Sequence, residues 1–266
     1  MTKVVLITGA SAGIGRACAD RLHGAGWHVV GASRRGLGAG WTGLVMDVDD
    51  DRSVAGGVAG VITEHGRLDA LVLSAGWGLA GAVEHTSIDE AKAQLETNLW
   101  GALRVVQAAL PTMRAQGGGR IVLISSIGGV VSIPFQALYS ASKFALEGLG
   151  EALAYEVAPF GITVTLVQPG NVRTDFTGSR RVATAPVGDD PYAEARDHAI
   201  GVMERDEATG VPAEDVAVTV QKVLDARRPP RRVSVGKAQE RVGLMAKRLL
   251  PFRAFEAAAK GSLGIR

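Results

Sequence analysis

Short β-branched apolar runs alternate with longer helix-like segments along the chain, and this alternation restricts the folds open to it. The runs at 3–8, 27–32, 43–46, 68–74, 120–125, 162–167 and 232–235 read as strands. Several are apolar at almost every position, as in Val4-Val5-Leu6-Ile7 and Ile121-Val122-Leu123-Ile124. That is the pattern of parallel strands covered on both faces. Between them, helices are expected near 14–25, 51–65, 88–116, 137–158 and 212–226, with Pro212 in the first turn of the last. Gly117-Gly118-Gly119 reads as a helix stop before a strand. Strand then helix, repeated, predicts an α/β fold with an open parallel sheet and right-handed crossovers. The stretch from 177 to 210 contains Pro186, Gly188, Asp189, Asp190 and Pro191 and shows no clear period. It is expected to be a mobile insertion, and a lid is preferred to an inert loop.

Composition narrows the class further. With 266 residues, 47% of them hydrophobic, and a net charge of +2, the chain is expected to fold as one large domain. The near-neutral balance offers no general attraction to nucleic acid, and no apolar run reaches the roughly 20 residues of a membrane span. Lys3, the apolar 4–7 run and Ala17-Cys18-Ala19 imitate a signal peptide, but the glycines at 9, 13 and 15 interrupt it. A soluble, cytoplasmic protein is expected. The single Cys18 allows no internal disulfide and is assigned to helix packing, and His23, His28, His65, His85 and His198 show no metal spacing.

The first strand runs into Thr8-Gly9-Ala10-Ser11-Ala12-Gly13-Ile14-Gly15 and then into a helix. Glycines at such a turn let backbone approach a pyrophosphate, while the helix start offers free N–H groups and partial positive charge. No Lys follows to cradle a terminal phosphate, so ATP is disfavoured. At the end of the second strand, where an acidic residue would hold the adenosine ribose, stand Ser33-Arg34-Arg35. Ser33 can hydrogen-bond a 2′-phosphate and Arg34 can pair with it, so NADP(H) is favoured over NAD(H). Asp47, after the third strand, is a candidate acceptor for the adenine amino group, with a turn or helix cap as its plainer role.

Tyr139-Ser140-Ala141-Ser142-Lys143 sets a phenol and an ammonium four residues apart on one helix face. A cation held beside a phenol favours its ionised form and lowers its pKa. Ser125-Ser126 ends the fifth strand, at the edge where open α/β sheets bind ligands, and Asn98 lies inside a helical segment, where it loses propensity.

Taken together, these motifs resemble the short-chain dehydrogenase/reductase family, in the branch with TGxxxGxG and YxxxK, over nearly the whole chain from Thr8 to about Val235. The resemblance implies a single Rossmann domain, a seven-stranded parallel sheet, a nicotinamide cofactor, and a homodimer or homotetramer. It assigns the catalytic roles to Asn98, Ser126, Tyr139 and Lys143. Ser126 rather than Ser125 satisfies the family spacing to the Tyr. The implied cofactor contacts are Gly9, Ser11, Gly13, Ile14 and Gly15 at the loop, then Ser33, Arg34, Asp47 and Val48. Beyond these come Ser74, Ala75 and Gly76 after the fourth strand and Pro169, Gly170, Val172 and Thr174 after the sixth, with Tyr139 and Lys143 shared. In the implied mechanism Ser126 and Tyr139 hydrogen-bond a carbonyl oxygen, Tyr139 supplies the proton, Lys143 lowers the Tyr pKa, and Asn98 holds a proton-relaying water. Ser74 replaces the family's usual Asn, and Ala12 lacks the basic side chain that some NADP-dependent members carry, which leaves the specificity mainly to Arg34.

Beyond Gly236-Lys237 lies a basic amphipathic stretch, with Val242, Met245 and Leu249 on one face and a break at Pro251. Packing beside the lid or against a partner subunit is preferred to a membrane-surface helix. The extension resembles the steroid- and retinol-dehydrogenase branch, which implies a bulky apolar carbonyl or alcohol. The function expected is therefore an NADP(H)-dependent carbonyl reductase or alcohol dehydrogenase. The alternative is a catalytically silent NADP(H)-binding regulator on the same fold. That rival predicts loss of Ser126, Tyr139 or Lys143, and all three are present. A nucleotide-sugar epimerase needs a different glycine loop, and an enoyl reductase a wider Tyr–Lys spacing.

Overall fold

All five residues of Val4–Thr8 are buried, and successive side chains enter different cores because a strand alternates its faces. The computed structural model, which describes residues 2–184 and 189–263, builds a seven-stranded parallel sheet around this strand. The strands are β1 (Val4–Thr8), β2 (His28–Ser33), β3 (Thr42–Val45), β4 (Ala70–Leu73), β5 (Gly119–Ile124), β6 (Ile162–Pro169) and β7 (Arg232–Val235). Their spatial order is β7-β6-β5-β4-β1-β2-β3. The order reverses at β1 and β4, which pair in parallel with Val5 opposite Ala70 and Thr8 opposite Leu73. Crevices for ligands open at such a reversal, outside the carboxyl ends of the strands.

The helices are α1 (Gly13–Gly24), α2 (Asp51–His65), α3 (Ile88–Leu95), α4 (Ala102–Ala115), α5 (Ala137–Val157), the single turn α6 (Phe176–Ser179), α7 (Ala193–Ala208), α8 (Ala213–Asp225), α9 (Ala238–Leu249) and α10 (Phe252–Leu263). On one face Val5 and Ile7 meet Cys18 and Leu22 of α1 and Val216, Val220 and Val223 of α8. On the other, Val4 and Leu6 meet Val54 and Val58 of α2, Val105 and Met113 of α4, and Leu146 and Leu153 of α5. Cys18 is a packing residue here, and burial pushes its thiol up to about 12. The result is the three-layer α/β/α arrangement anticipated from the alternation of runs.

Three local expectations require correction. The single helix expected at 88–116 is interrupted, because Glu96–Gly101 widens into a π-helical turn between α3 and α4. Pro212 stands one residue before α8 rather than in its first turn, and pairs with Arg173 as a short extended step. The stretch at 177–210 is not without structure: it holds a two-residue strand, Arg181–Val182, and the 16-residue α7. Only Ala199 and Met203 of α7 are buried, so its apolar face is too narrow to leave a period in the sequence. Pro186 and Gly188 lie outside the described residues.

Leu71 is fully buried at the centre of β4, where the sheet reversal is built. Leu71→Ala is expected to reduce stability by about 2–5 kcal/mol through lost burial and an unfilled cavity. Chemical denaturation followed by circular dichroism measures it.

Candidate active site

A cleft of about 970 Å³ runs along the carboxyl ends of the strands, above the reversal between β1 and β4. The glycine loop shapes its floor. Gly9 has φ +69, and a Cβ there would lie 2.9 Å from the Ala75 backbone nitrogen; a Cβ on Gly15 would lie 2.4 Å from the Gly9 carbonyl oxygen. The loop therefore hugs both the start of α1 and the end of β4. Thr8 Oγ1 joins the two strands, accepting from the backbone N–H groups of Ser74 (3.1 Å) and Ala75 (3.2 Å). At the start of α1, Ala12 provides no side-chain cap and the first turn has no acidic residue. Its opening N–H groups and partial positive charge are left for an anion. A bare glycine cradle, an uncapped helix start and a long cleft fit a dinucleotide diphosphate.

The far end of the cleft is basic. Ser33, Arg34 and Arg35 all line it, and Ser33 Oγ accepts from the Gly36 backbone N–H at 3.1 Å. Arg35 reaches back over the loop to donate from Nη2 to Ser11 Oγ at 3.0 Å. It thereby sets a basic side chain over the loop, one residue from Ala12. The sequence reading assigned a role to Arg34 alone; the signal for Arg35 was the doubled arginine itself. Asp47 lines the cleft, and its Oδ1 accepts from the Asp49 N–H at 3.1 Å, which is the turn role expected of it. Val48 lies beside it in the wall.

At the other end, α5 presents Tyr139 and Lys143 one turn apart, both buried. Lys143 Nζ donates to the Ile124 carbonyl at the end of β5 (2.9 Å) and lies 5.9 Å from the Tyr139 ring centroid. Ser126 Oγ accepts from the Gly128 N–H at 2.9 Å, which fixes the turn after β5 and leaves the hydroxyl beside Tyr139. Ser125 also lines the cleft, but its buried hydroxyl has no partner among the described residues. Pro169, Gly170, Val172 and Thr174 form the opposite wall, and a Cβ on Gly13 would touch Thr174 at 3.5 Å.

Asn98 and Gly15 do not line the cleft, whereas every other residue assigned from the sequence does. Gly15 acts from behind, by its closeness to Gly9. Asn98 sits in the π-helical turn, where Nδ2 donates to the Trp77 carbonyl and to Ser142 Oγ (both 3.1 Å) and Oδ1 accepts from the Trp77 N–H at 3.0 Å. Its amide clamps the segment after Gly76. A widened turn is a recurrent device for such an inward side chain, and it resolves the low helix propensity noted for this residue. Trp77, Phe176 and Glu207, which the sequence does not single out, also line the cleft at the Tyr139 end. The Phe176 ring is 5.9 Å from that of Tyr139, and Arg181 stacks 4.3 Å from the Trp77 ring centroid. These contacts join segments remote in sequence and leave no local pattern.

A family model for short chain dehydrogenase matches residues 3–184. The chain is 39% identical over 252 residues to a 3-ketodihydrosphingosine reductase of Bacteroides thetaiotaomicron, covering 94% of this chain and 93% of that protein. It is 35% identical to retinol dehydrogenase 8 of Bos taurus, with coverage of 86% and 80%. A short-chain dehydrogenase structure from Streptomyces avermitilis superposes with a TM-score of 0.83 at 33% identity, over 98% of each chain.

The electrostatics differ from the simple expectation for a Tyr–Lys pair. Burial raises the Tyr139 pKa above its ordinary value, against the opposing hydrogen bond from Ser126. Burial also lowers Lys143 from 10.5 to about 8, with Glu147 acting against it. In the free protein, desolvation outweighs the attraction between phenolate and ammonium. A lysine whose folded pKa lies below its unfolded one is a liability while protonated. That penalty is fully present below about pH 8 and disappears as pH rises through about 10.5. Lys143 should therefore raise stability by about 3 kcal/mol across this window. The Lys143→Met protein should lack this rise. Cys18 titrates in both proteins and cancels from the difference between two urea-unfolding series, one per protein, which reports Lys143 together with any change it causes at Tyr139. Parallel pH profiles would show that Lys143 keeps its ordinary pKa in the fold.

Proposed function

The chain belongs to the short chain dehydrogenase family, oxidoreductases that work with nicotinamide cofactors, and on that premise we propose an NADP(H)-dependent reductase of ketones with a bulky apolar body. The convergence of Ser126, Tyr139 and Lys143 at one end of a glycine-floored cleft carries this reading. The silent-regulator alternative has no observation in its favour.

The glycine loop and the start of α1 would hold the cofactor diphosphate, and Ser33, Arg34 and Arg35 a 2′-phosphate. The wall from Pro169 to Thr174 would flank the nicotinamide. Bound there, the reduced cofactor supplies the hydride. Ser126 and Tyr139 orient the substrate oxygen by hydrogen bonds, and Tyr139 transfers its proton to that oxygen, or takes it back when an alcohol is oxidised. Lys143, held to the Ile124 carbonyl, keeps positive charge beside the phenol and stabilises the phenolate left after transfer. Asn98 acts as a positioning residue by clamping Trp77. The described part of 175–210 would act as a lid, a reading supported by Phe176 and Glu207, which line the cleft beside Tyr139. Ile133, Trp77 and Phe176 give that end apolar surface beside the charged Arg181 and Glu207. The name of the Bacteroides relative supplies the first ketone to try, 3-ketodihydrosphingosine.

Two experiments test the reading. Tyr139→Phe is expected to reduce turnover by at least about a hundredfold while leaving NADPH binding by fluorescence titration unchanged; an active variant removes Tyr139 as the acid. Arg34→Ala and Arg35→Ala are each expected to weaken NADPH binding by about 2 kcal/mol, roughly thirtyfold, with little change for NADH. Equal losses for the two cofactors would remove the phosphate site from that end.

A further inference from the structure

Helix α9 presents two faces, and only one of them meets the body of the protein. Leu244 is buried, Glu240 accepts from the backbone N–H groups of Asn171 (3.0 Å) and Lys237 (2.8 Å), and Lys247 donates to the Val130 carbonyl. Lys247 also lies 5.2 Å from the Phe144 ring centroid. These contacts fasten the helix to two loops at the rim of the cleft, one following β6 and one following Ser126. The face expected to pack beside the lid does not do so. Val242, Met245 and Leu249, spaced to share one side of the helix, are 63%, 61% and 77% exposed, and Leu250 extends the stripe at 44%. An apolar stripe held open on a helix that is already docked needs a partner.

Charge identifies that partner. Of the chain's 29 Lys and Arg and 27 Asp and Glu, residues 236–266 hold seven and two, so this segment carries +5 while the remainder carries −3. Arg241 and Arg253 are exposed, and the one carboxylate of α9, Glu240, is occupied by backbone N–H groups. A second copy of the chain would bring the same basic surface against itself across a two-fold axis, where like charges repel. An anionic surface has no such conflict. We infer that α9 lies on an anionic lipid surface, with Val242, Met245 and Leu249 entering the boundary between headgroups and acyl chains and the flanking arginines facing the headgroups. No described helix is long and apolar enough to cross a membrane, so the attachment is peripheral and reversible. Because α9 is bonded to the rim loops, the cleft would lie close to that surface. The inference stands on exposure and charge and does not depend on the proposed activity.

Vesicle co-sedimentation of the full chain tests it. Binding is expected to phosphatidylcholine vesicles containing about 30% phosphatidylglycerol, and not to pure phosphatidylcholine vesicles. It should fall steeply as salt rises to about 0.5 M. Met245→Glu with Leu249→Glu should reduce the bound fraction about tenfold, as should Arg241→Glu with Arg253→Glu, with circular dichroism and NADPH affinity unchanged. Absence of binding to the anionic vesicles overturns the inference, and so does equal binding by wild type and both variants. If the apolar variant binds vesicles normally but changes from oligomer to monomer by light scattering, the stripe belongs to a second copy instead.

Discussion

The cleft depends on how closely β1 and β4 can approach at the point where the sheet order reverses. Thr8 bonds the N–H groups that follow β4 with one hydroxyl, and Gly9 leaves no Cβ to hold the two chain segments apart. This single approach sets the position of the loop, the start of α1 and the Ser74-Ala75-Gly76 segment together. Ser74 stands where an Asn is usual in the family, and the Thr8 bridge is made to its backbone, which any side chain at that position would allow.

The buried pair on α5 shows which electrostatic effect dominates in the free protein. A phenol and an ammonium near each other attract, but both lose water when the fold encloses them, and here each moves toward its neutral form. The arrangement stores an ammonium that is easily discharged next to a phenol that holds its proton. Fixing the lysine to the Ile124 carbonyl keeps this geometry without an ion pair that would quench it.

Much of the fold was legible because parallel strands buried on both faces are apolar throughout, and all seven strand segments were found within about two residues at either end. The candidate site residues could be picked out for a different reason, since Tyr139 and Lys143 share one helix, Ser126 follows one strand end, and the motifs resemble a known family. What escaped notice had no local period. α7 buries two side chains, and the π-helical turn at Asn98 is indistinguishable in sequence from the helix it interrupts.

The amino-acid order by itself determined the layered architecture, the glycine loop and the one-turn spacing of Tyr139 and Lys143, because each rests on neighbours within a few residues or on a regular hydrophobic period. Only the tertiary structure decided that Arg35 reaches Ser11, that Asn98 clamps Trp77 behind the cleft, and that the apolar stripe of α9 faces outward. Such outcomes turn on which segments meet across the carboxyl edge of the sheet, and side-chain reach across that edge is set by packing between elements far apart in the chain.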